Sequence, residues 1–174
     1  MGAAATLLSD DPPVENAGIT ETTNLTSNKG WRAPFSIGAQ QADGGAEALS
    51  EAEITLPWSD TSYCVADVAV TCAPLAGQSG CPDPVLIVEV LSPSTEAEDR
   101  GVKLPDYRRL ASVQDFLLVA SDRVAVEHCA RQGERWLIAD RGPGGIVRLA
   151  GLPVELAVDE LFAGLGPGEA ALAS

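Results

Sequence analysis

The apolar residues of this chain fall into short runs of two different periods, and most of the readable signal lies after residue 50. Glu53-Ile54-Thr55-Leu56 alternates polar and apolar as a half-buried strand does, and Pro57 to Thr61 turns the chain. Val65 to Thr71 predicts a second strand, with Val65, Asp67 and Ala69 on one face and Ala66, Val68 and Val70 on the other. A loop follows over Gly77 to Pro84. Val85-Leu86-Ile87-Val88-Glu89-Val90-Leu91 then gives the clearest strand, because one charge in such a run points to burial on both faces. Ser92-Pro93-Ser94-Thr95 breaks it. Thr95, followed by Glu96 and Glu98, starts a helix expected to reach about Ala111 and to turn Leu104, Tyr107 and Leu110 inward.

Phe116 to Ala120 reads as a short buried strand and Val124 to Cys129 as an alternating one. Gln132-Gly133 turns it into Trp136 to Ala139, closing a hairpin. Gly142 to Gly145 makes a second turn before Ile146 to Leu149, and Asp159 to Phe162 suggests a short closing helix. The front of the chain is different. Asp11-Pro12-Pro13 breaks structure, and Gly18 to Gly30 is rich in Thr, Asn and Ser, which favour turns and extended segments. Only Ala39 to Ala48 offers a short helix there, with Gly44-Gly45 inside it. The pattern therefore divides the chain into an atypical, partly irregular N-terminal segment (1–49), a structured core (50–163) and a flexible Gly- and Ala-rich tail (164–174). The length of 174 residues suits one domain with a real core.

Composition changes this picture little: 45% hydrophobic and 21% charged residues are ordinary for a globular protein in water. No apolar stretch approaches the length of a membrane helix. Met1 to Pro13 lacks the basic start and longer apolar run of a secretory signal, so a cytoplasmic location is expected. Cys64, Cys72, Cys81 and Cys129 include no close pair, and His128 is the one histidine, which argues against a Cys/His zinc cluster. The cysteines read instead as small buried side chains in a reducing compartment. Charge matters more. At −14 the chain repels a nucleic-acid backbone on average. Contact with phosphate would need a local basic patch, or metal ions bridging carboxylates to it.

Candidate chemistry begins with Glu89, since a carboxylate inside an apolar strand is costly to bury unless it is paired or binds a cation. Asp67 poses the same question on the preceding strand. If the two strands are neighbours, the acids converge at one end of the sheet as a hard-oxygen site suited to Mg²⁺ or Mn²⁺. The alternatives are a buried salt bridge, or exposure of Asp67 at a strand end. Asp99, Lys103 and Tyr107 follow at four-residue intervals and would form one helical stripe, with Asp99 and Lys103 in the favourable order for pairing. Such a lysine either projects over the C-terminal end of the Glu89 strand or forms a surface ion pair beside a core tyrosine. Pro105 removes a helical hydrogen bond to Gly101 and predicts a kink or a delayed start. His128 and Trp136 read as structural, and Arg108-Arg109 as a solvated helix face able to meet phosphate.

Ala66-Asp67-Val68-Ala69-Val70, Val88-Glu89-Val90-Leu91-Ser92-Pro93-Ser94-Thr95, Asp99-Arg100-Gly101-Val102-Lys103-Leu104 and Tyr107-Arg108 together closely resemble the Uma-type family of bacterial restriction endonucleases, within the PD-(D/E)xK nuclease superfamily. The strand Phe116-Leu117-Leu118-Val119 and the Val124 to Ile138 hairpin are similar to that family as well, and the resemblance spans about residues 50 to 163. It implies an α/β (α+β) fold, a restriction-endonuclease-like mixed β-sheet flanked by helices. It further implies that Asp67 and Glu89 ligate Mg²⁺ (or Mn²⁺) and that Asp67, Glu89 and Lys103 are catalytic, with Asp99 and Tyr107 in support. The usual E-x-K lysine is absent, since Leu91 stands two after Glu89; Lys103 matches a lysine moved to the next helix. Three departures stand out: Ala66 replaces the usual proline before the first acid, residues 1–49 match badly, and Pro105 sits where relatives carry a helix former.

Two functions follow from the resemblance. The first is a Mg²⁺-dependent nuclease hydrolysing phosphodiester bonds of nucleic acid, DNA in the first place, acting as a homodimer. The second is a catalytically inactive, homo-oligomeric binding module of the same fold. The negative charge and unusual front favour the second, and the intact Asp67, Glu89 and Lys103 favour the first.

Overall fold

Six of the strands join into one mixed sheet, whose single parallel neighbour pair is created by the helical segment between them. The computed structural model describes residues 25–26, 32–33, 45–59, 63–75 and 80–163. In chain order the elements are β1 (Leu25–Thr26), β2 (Arg32–Ala33), β3 (Glu47–Thr55), β4 (Tyr63–Thr71), β5 (Pro84–Leu91), α1 (Glu96–Glu98), a π-helical turn (Asp99–Lys103) and α2 (Leu104–Arg109). After these come β6 (Asp115–Ala120), β7 (Val126–Gln132), β8 (Arg135–Arg141), β9 (Ile146–Arg148), β10 (Glu155–Ala157) and α3 (Val158–Phe162). The sheet order is β3-β4-β5-β6-β7-β8; β1 with β2 and β9 with β10 form two-stranded antiparallel pairs. Only β5 and β6 run parallel within the large sheet. Parallel neighbours require a crossover, and the α1–α2 segment supplies it, which lays this segment across one face of the sheet.

Two apolar layers result. On the crossover side Ile87, Leu91, Phe116, Leu118 and Cys129 pack with Leu104, Tyr107 and Leu110. On the other side Val68, Val88, Val90, Leu117 and Val119 pack with Val147, Val158 and Leu161. Glu89 shares strand parity with Ile87 and Leu91, so it belongs to the crossover face.

Several expectations need correction. The stretch from Ala39 to Ala48 is not a helix where it is described: residues 45–46 are irregular and β3 starts at Glu47, with Ala48 opposite Val70 and Leu49 opposite Ala69. Cross-strand pairing outweighs the helical propensity of alanine there. Residues 39–44, and the tail from 164, lie outside the described residues. The strict alternation expected along β4 also fails. Val68 and Val70 serve one core layer, whereas Ala66 joins Ala69 in the other. The switch occurs at Asp67, beside Glu51 of β3, which takes a left-handed φ of 49°. Such backbone in a non-glycine residue is sparsely populated and disturbs the pleat locally. The single helix from Thr95 to Ala111 is instead three helical pieces, and β10 has no counterpart in the sequence reading. Cys81 and Cys129 are buried as expected, but Cys72 is exposed.

Among the described residues no helix is long and apolar enough to cross a membrane. The connection into β5 is fixed by Gly80, at φ +95°, where a Cβ would stand 2.6 Å from the Glu53 carbonyl oxygen. That same oxygen accepts the Cys81 N–H at 2.8 Å. Gly80→Ala is therefore expected to cost about 1–3 kcal/mol of stability through backbone strain. Urea unfolding should show it as a lower midpoint with an unchanged slope.

Candidate active site

β4 and β5 pair as antiparallel neighbours at Val70↔Leu86, Ala69↔Ile87 and Val68↔Val88, and the ladder ends there. The next positions in this register are Asp67 and Glu89. Instead of a further backbone rung, Oδ2 of Asp67 accepts the N–H of Val90 at 2.7 Å. The two acids thus stand at the place where the strands part, both almost fully buried (4% and 2% exposed).

The crossover brings three more groups onto Glu89. Tyr107 donates its hydroxyl to Oε1 at 3.0 Å. Lys103 Nζ donates to Oε1 and Oε2 at 3.2 and 3.3 Å and to the Val65 carbonyl at 3.0 Å. The same Nζ lies 2.9 Å from Oδ1 of Asp99, a residue only 1% exposed. Asp99 and Lys103 are therefore a buried pair, not the surface pair that was the alternative. The five residues that the sequence reading singled out, Asp67, Glu89, Asp99, Lys103 and Tyr107, lie in one neighbourhood.

Local backbone explains the delivery. Asp99 to Lys103 form a π turn, with the Leu104 N–H reaching back to the Asp99 carbonyl. Pro105 sits in the first turn of α2, where a missing N–H is tolerated. In a regular α-helix its ring would press on the carbonyl of Gly101, and the wider turn relieves this. The expected kink is thus a π turn, a feature frequent at functional sites.

Charge is concentrated here. Burial, and after it the nearby negative charges of Asp67 and Asp99, push the Glu89 carboxyl up to about 7, although Lys103 and the Tyr107 hydroxyl pull the other way. Burial opposes the charge on Lys103, but Glu89 and Asp99 overcome it and hold its pKa above the ordinary lysine value. Burial and the Glu89 carboxylate push the Tyr107 phenol far up, so it stays a hydrogen-bond donor. Two acidic side chains, Glu89 and Asp99, share one ammonium with Asp67 close by, an all-oxygen donor set that a hard divalent cation would relieve. Among the described residues no three acids, histidines or cysteines are already drawn into a cage. Mg²⁺, however, is held by one or two carboxylates with water and substrate oxygens completing its shell. The residues present fit such an ion.

Other groups surround these five residues. Arg100 forks between Glu96 (2.9 Å) and Glu127 (3.0 Å). Tyr107, Phe116 and Trp136 stack in sequence, with ring centroids 5.9 and 4.9 Å apart, and Arg131 lies over Trp136. Trp136 therefore packs, as its position suggested. Arg109 stacks 3.9 Å from the Trp58 ring, and Arg108 stands 6.0 Å from Trp136. His128 is not part of this site: it lies on the opposite face, 2.8 Å from Asp115. Asp115 was not among the candidate residues, and Arg100 was named only as part of the family motif. Asp115 opens an apolar strand much as Glu89 interrupts one, and Arg100 follows Glu96 by four residues, so both carried a signal.

The chain can now be set beside known proteins. The model of the Uma2 family, described as "Putative restriction endonuclease", matches residues 31–159. An uncharacterized protein of Synechocystis (slr1290) is 37% identical over 128 residues, covering 71% of this chain and 67% of that one. A second from the same organism (sll1609), also uncharacterized, is 31% identical over 130 residues and covers 71% of each. The fold is shared with the crystal structure of a "putative nuclease belonging to DUF820" from Anabaena variabilis, with a TM-score of 0.51 and 19% identity over 68% of this chain and 69% of that one. The family match spans most of the chain, and two relatives above 30% identity accompany it: this protein belongs to the Uma2 family, described as "Putative restriction endonuclease".

Proposed function

We propose that this protein is a Mg²⁺-dependent (or Mn²⁺-dependent) nuclease that hydrolyses phosphodiester bonds, with Asp67 and Glu89 as metal ligands and Lys103 as the cationic partner of the reaction. The observation that carries the reading is the position of the Lys103 ammonium. It is held, part-buried, among Glu89, Asp99 and the Val65 carbonyl, beside an acid whose ionisation burial opposes. When bound, the metal would supply Lewis acidity and a lowered pKa for attacking water.

The chain's own residues would do the rest. Asp67, anchored by the Val90 N–H, presents its carboxylate in a fixed orientation. The Tyr107 hydroxyl holds Oε1 of Glu89 and so fixes the second ligand. Lys103 would orient the water and stabilise negative charge growing on the phosphate. Asp99 keeps the ammonium in place throughout. The reading takes nucleic acid, with DNA first, as substrate, and a homodimer in the cytoplasm as the working form. The exposed Ile138 on the edge strand β8 is in keeping with self-association.

The competing reading is a non-catalytic binding module of the same fold, and the net charge of −14 favours it. Calorimetric titration with Mn²⁺ and Mg²⁺ separates the two, using the full chain, Asp67→Ala and Glu89→Ala. Saturable binding by the parent, lost in both variants, is expected, and with it metal-dependent cleavage of plasmid or single-stranded DNA. A parent that is folded by circular dichroism yet binds neither ion at millimolar concentration would overturn the metal site and leave the module.

A further inference from the structure

The sheet face opposite Glu89 carries a second constellation that the proposed nuclease chemistry does not use. β7 and β8 pair His128 with Ala139 and Val126 with Arg141, so His128, Leu137 and Arg141 point to one side. β9 closes the far wall with Ile146 and Arg148. Between them lies a half-open cleft of about 240 Å³, which Gln132 also lines.

Its floor is built and buried. Asp115, fully buried at the head of β6, accepts the N–H of Ala150 at 3.0 and 2.9 Å and that of Gly151 at 2.8 Å. Its Oδ1 lies 2.8 Å from Nε2 of His128. A carboxylate only accepts, so Nε2 carries the proton and the ring is locked in one orientation. No described residue offers a hydrogen-bond partner to the other nitrogen, Nδ1.

The walls add charge and apolar surface. Arg141 donates only to carbonyl oxygens, those of Ile146 at 3.3 Å and Asp140 at 3.1 Å, and has no carboxylate partner among the described residues. At the wall of this cleft such a guanidinium favours an anion. Arg148, by contrast, is tied to Glu155 at 2.6 Å. Leu137 and Ile146 are 52% and 42% exposed at the same mouth.

We propose that this cleft binds a small organic oxyanion, a carboxylate or phosphate on a short apolar body, through Arg141, with the His128 ring beside it and Leu137 and Ile146 against its apolar part. Arg141 supplies a forked donor for two ligand oxygens. Asp115 holds the imidazole in place through Nε2. The site lies across the sheet from Glu89 and stands independently of the nuclease reading.

His128 is the one histidine of the chain, so its imidazole NMR signal reports on this cleft alone. The full chain is titrated with butyrate and, separately, with inorganic phosphate at constant ionic strength. A saturable shift of the His128 signal is expected with at least one probe, and which one saturates tells whether the site takes carboxylates or phosphates. Arg141→Ala should weaken that binding by about tenfold or more, as loss of a charge-assisted contact does. Arg109→Ala, which removes an equal charge from α2 on the other side of the sheet, should leave it unchanged. A shift linear in concentration with both probes, or saturable binding that survives Arg141→Ala, would overturn the proposal.

Discussion

Replacing Glu89 by glutamine should make the metal-free protein more stable at pH 8 by about 2–3 kcal/mol while lowering nuclease activity by about 10³-fold or more. Burial raises the Glu89 carboxyl from 4.5 to about 7 in the folded protein. Between those two values the unfolded chain has lost this proton and the folded chain has kept it. Stability therefore falls as pH rises through that window, and levels off above it. Below pH 4.5 both states are protonated, and glutamine merely imitates the neutral acid. The gain should accordingly be full at pH 8, partial at pH 6 and near zero at pH 4. Urea unfolding in the presence of a chelator, at those three pH values, reads it directly. A glutamine variant that is less stable at pH 8 would mean that Glu89 is a structural anchor for Lys103 and not an acid kept at a cost for its chemistry.

Lys103→Met should act in the opposite sense, costing about 3–5 kcal/mol at pH 8, because removing one member of a buried charge set strands the others. Glu89 and Asp99 both lose their contact with the ammonium, and Glu89 keeps only the Tyr107 hydroxyl among the polar contacts described for it. Acidification should mitigate the loss, since Glu89 then binds a proton in place of its cation. The double variant Lys103→Met/Glu89→Gln should recover much of the stability, and the double-mutant cycle should give a coupling of about 1–3 kcal/mol. Additive effects of the two substitutions would refute the close pairing at 3.2 Å. Activity should vanish in both the single and the double variant.

The parts of this protein that were legible in its sequence are those whose physics is local. Val85 to Leu91 could only be a buried strand, and an acid within it could only be paired or bound, so Glu89 drew attention before any neighbour was known. Asp67 was readable for the same reason, and Lys103 more so than was used, since it and Lys29 are the only lysines of the chain. What failed depended on distant partners. Ala48 and Leu49 are strand because Val70 and Ala69 lie opposite them, not because of their own propensity. The change of side at Asp67 needs the unusual backbone of Glu51 on the adjacent strand. Asp115 takes its meaning from Ala150, Gly151 and His128, none of which is near it in sequence.

The π turn from Asp99 to Lys103 bears on how such sites are found by pattern. A π turn uses one residue more than an α turn for nearly the same advance along the axis. A relative without a proline at the position of Pro105 has no need of that wider turn. It can bring an equivalent tyrosine to the same carboxylate through a plain α-helix that is one residue shorter. The gap between the buried glutamate and its lysine and tyrosine is thus elastic by a single residue. A search that fixes this gap would separate proteins with the same arrangement in space, whereas one that allows the step, and checks for the proline, would group them.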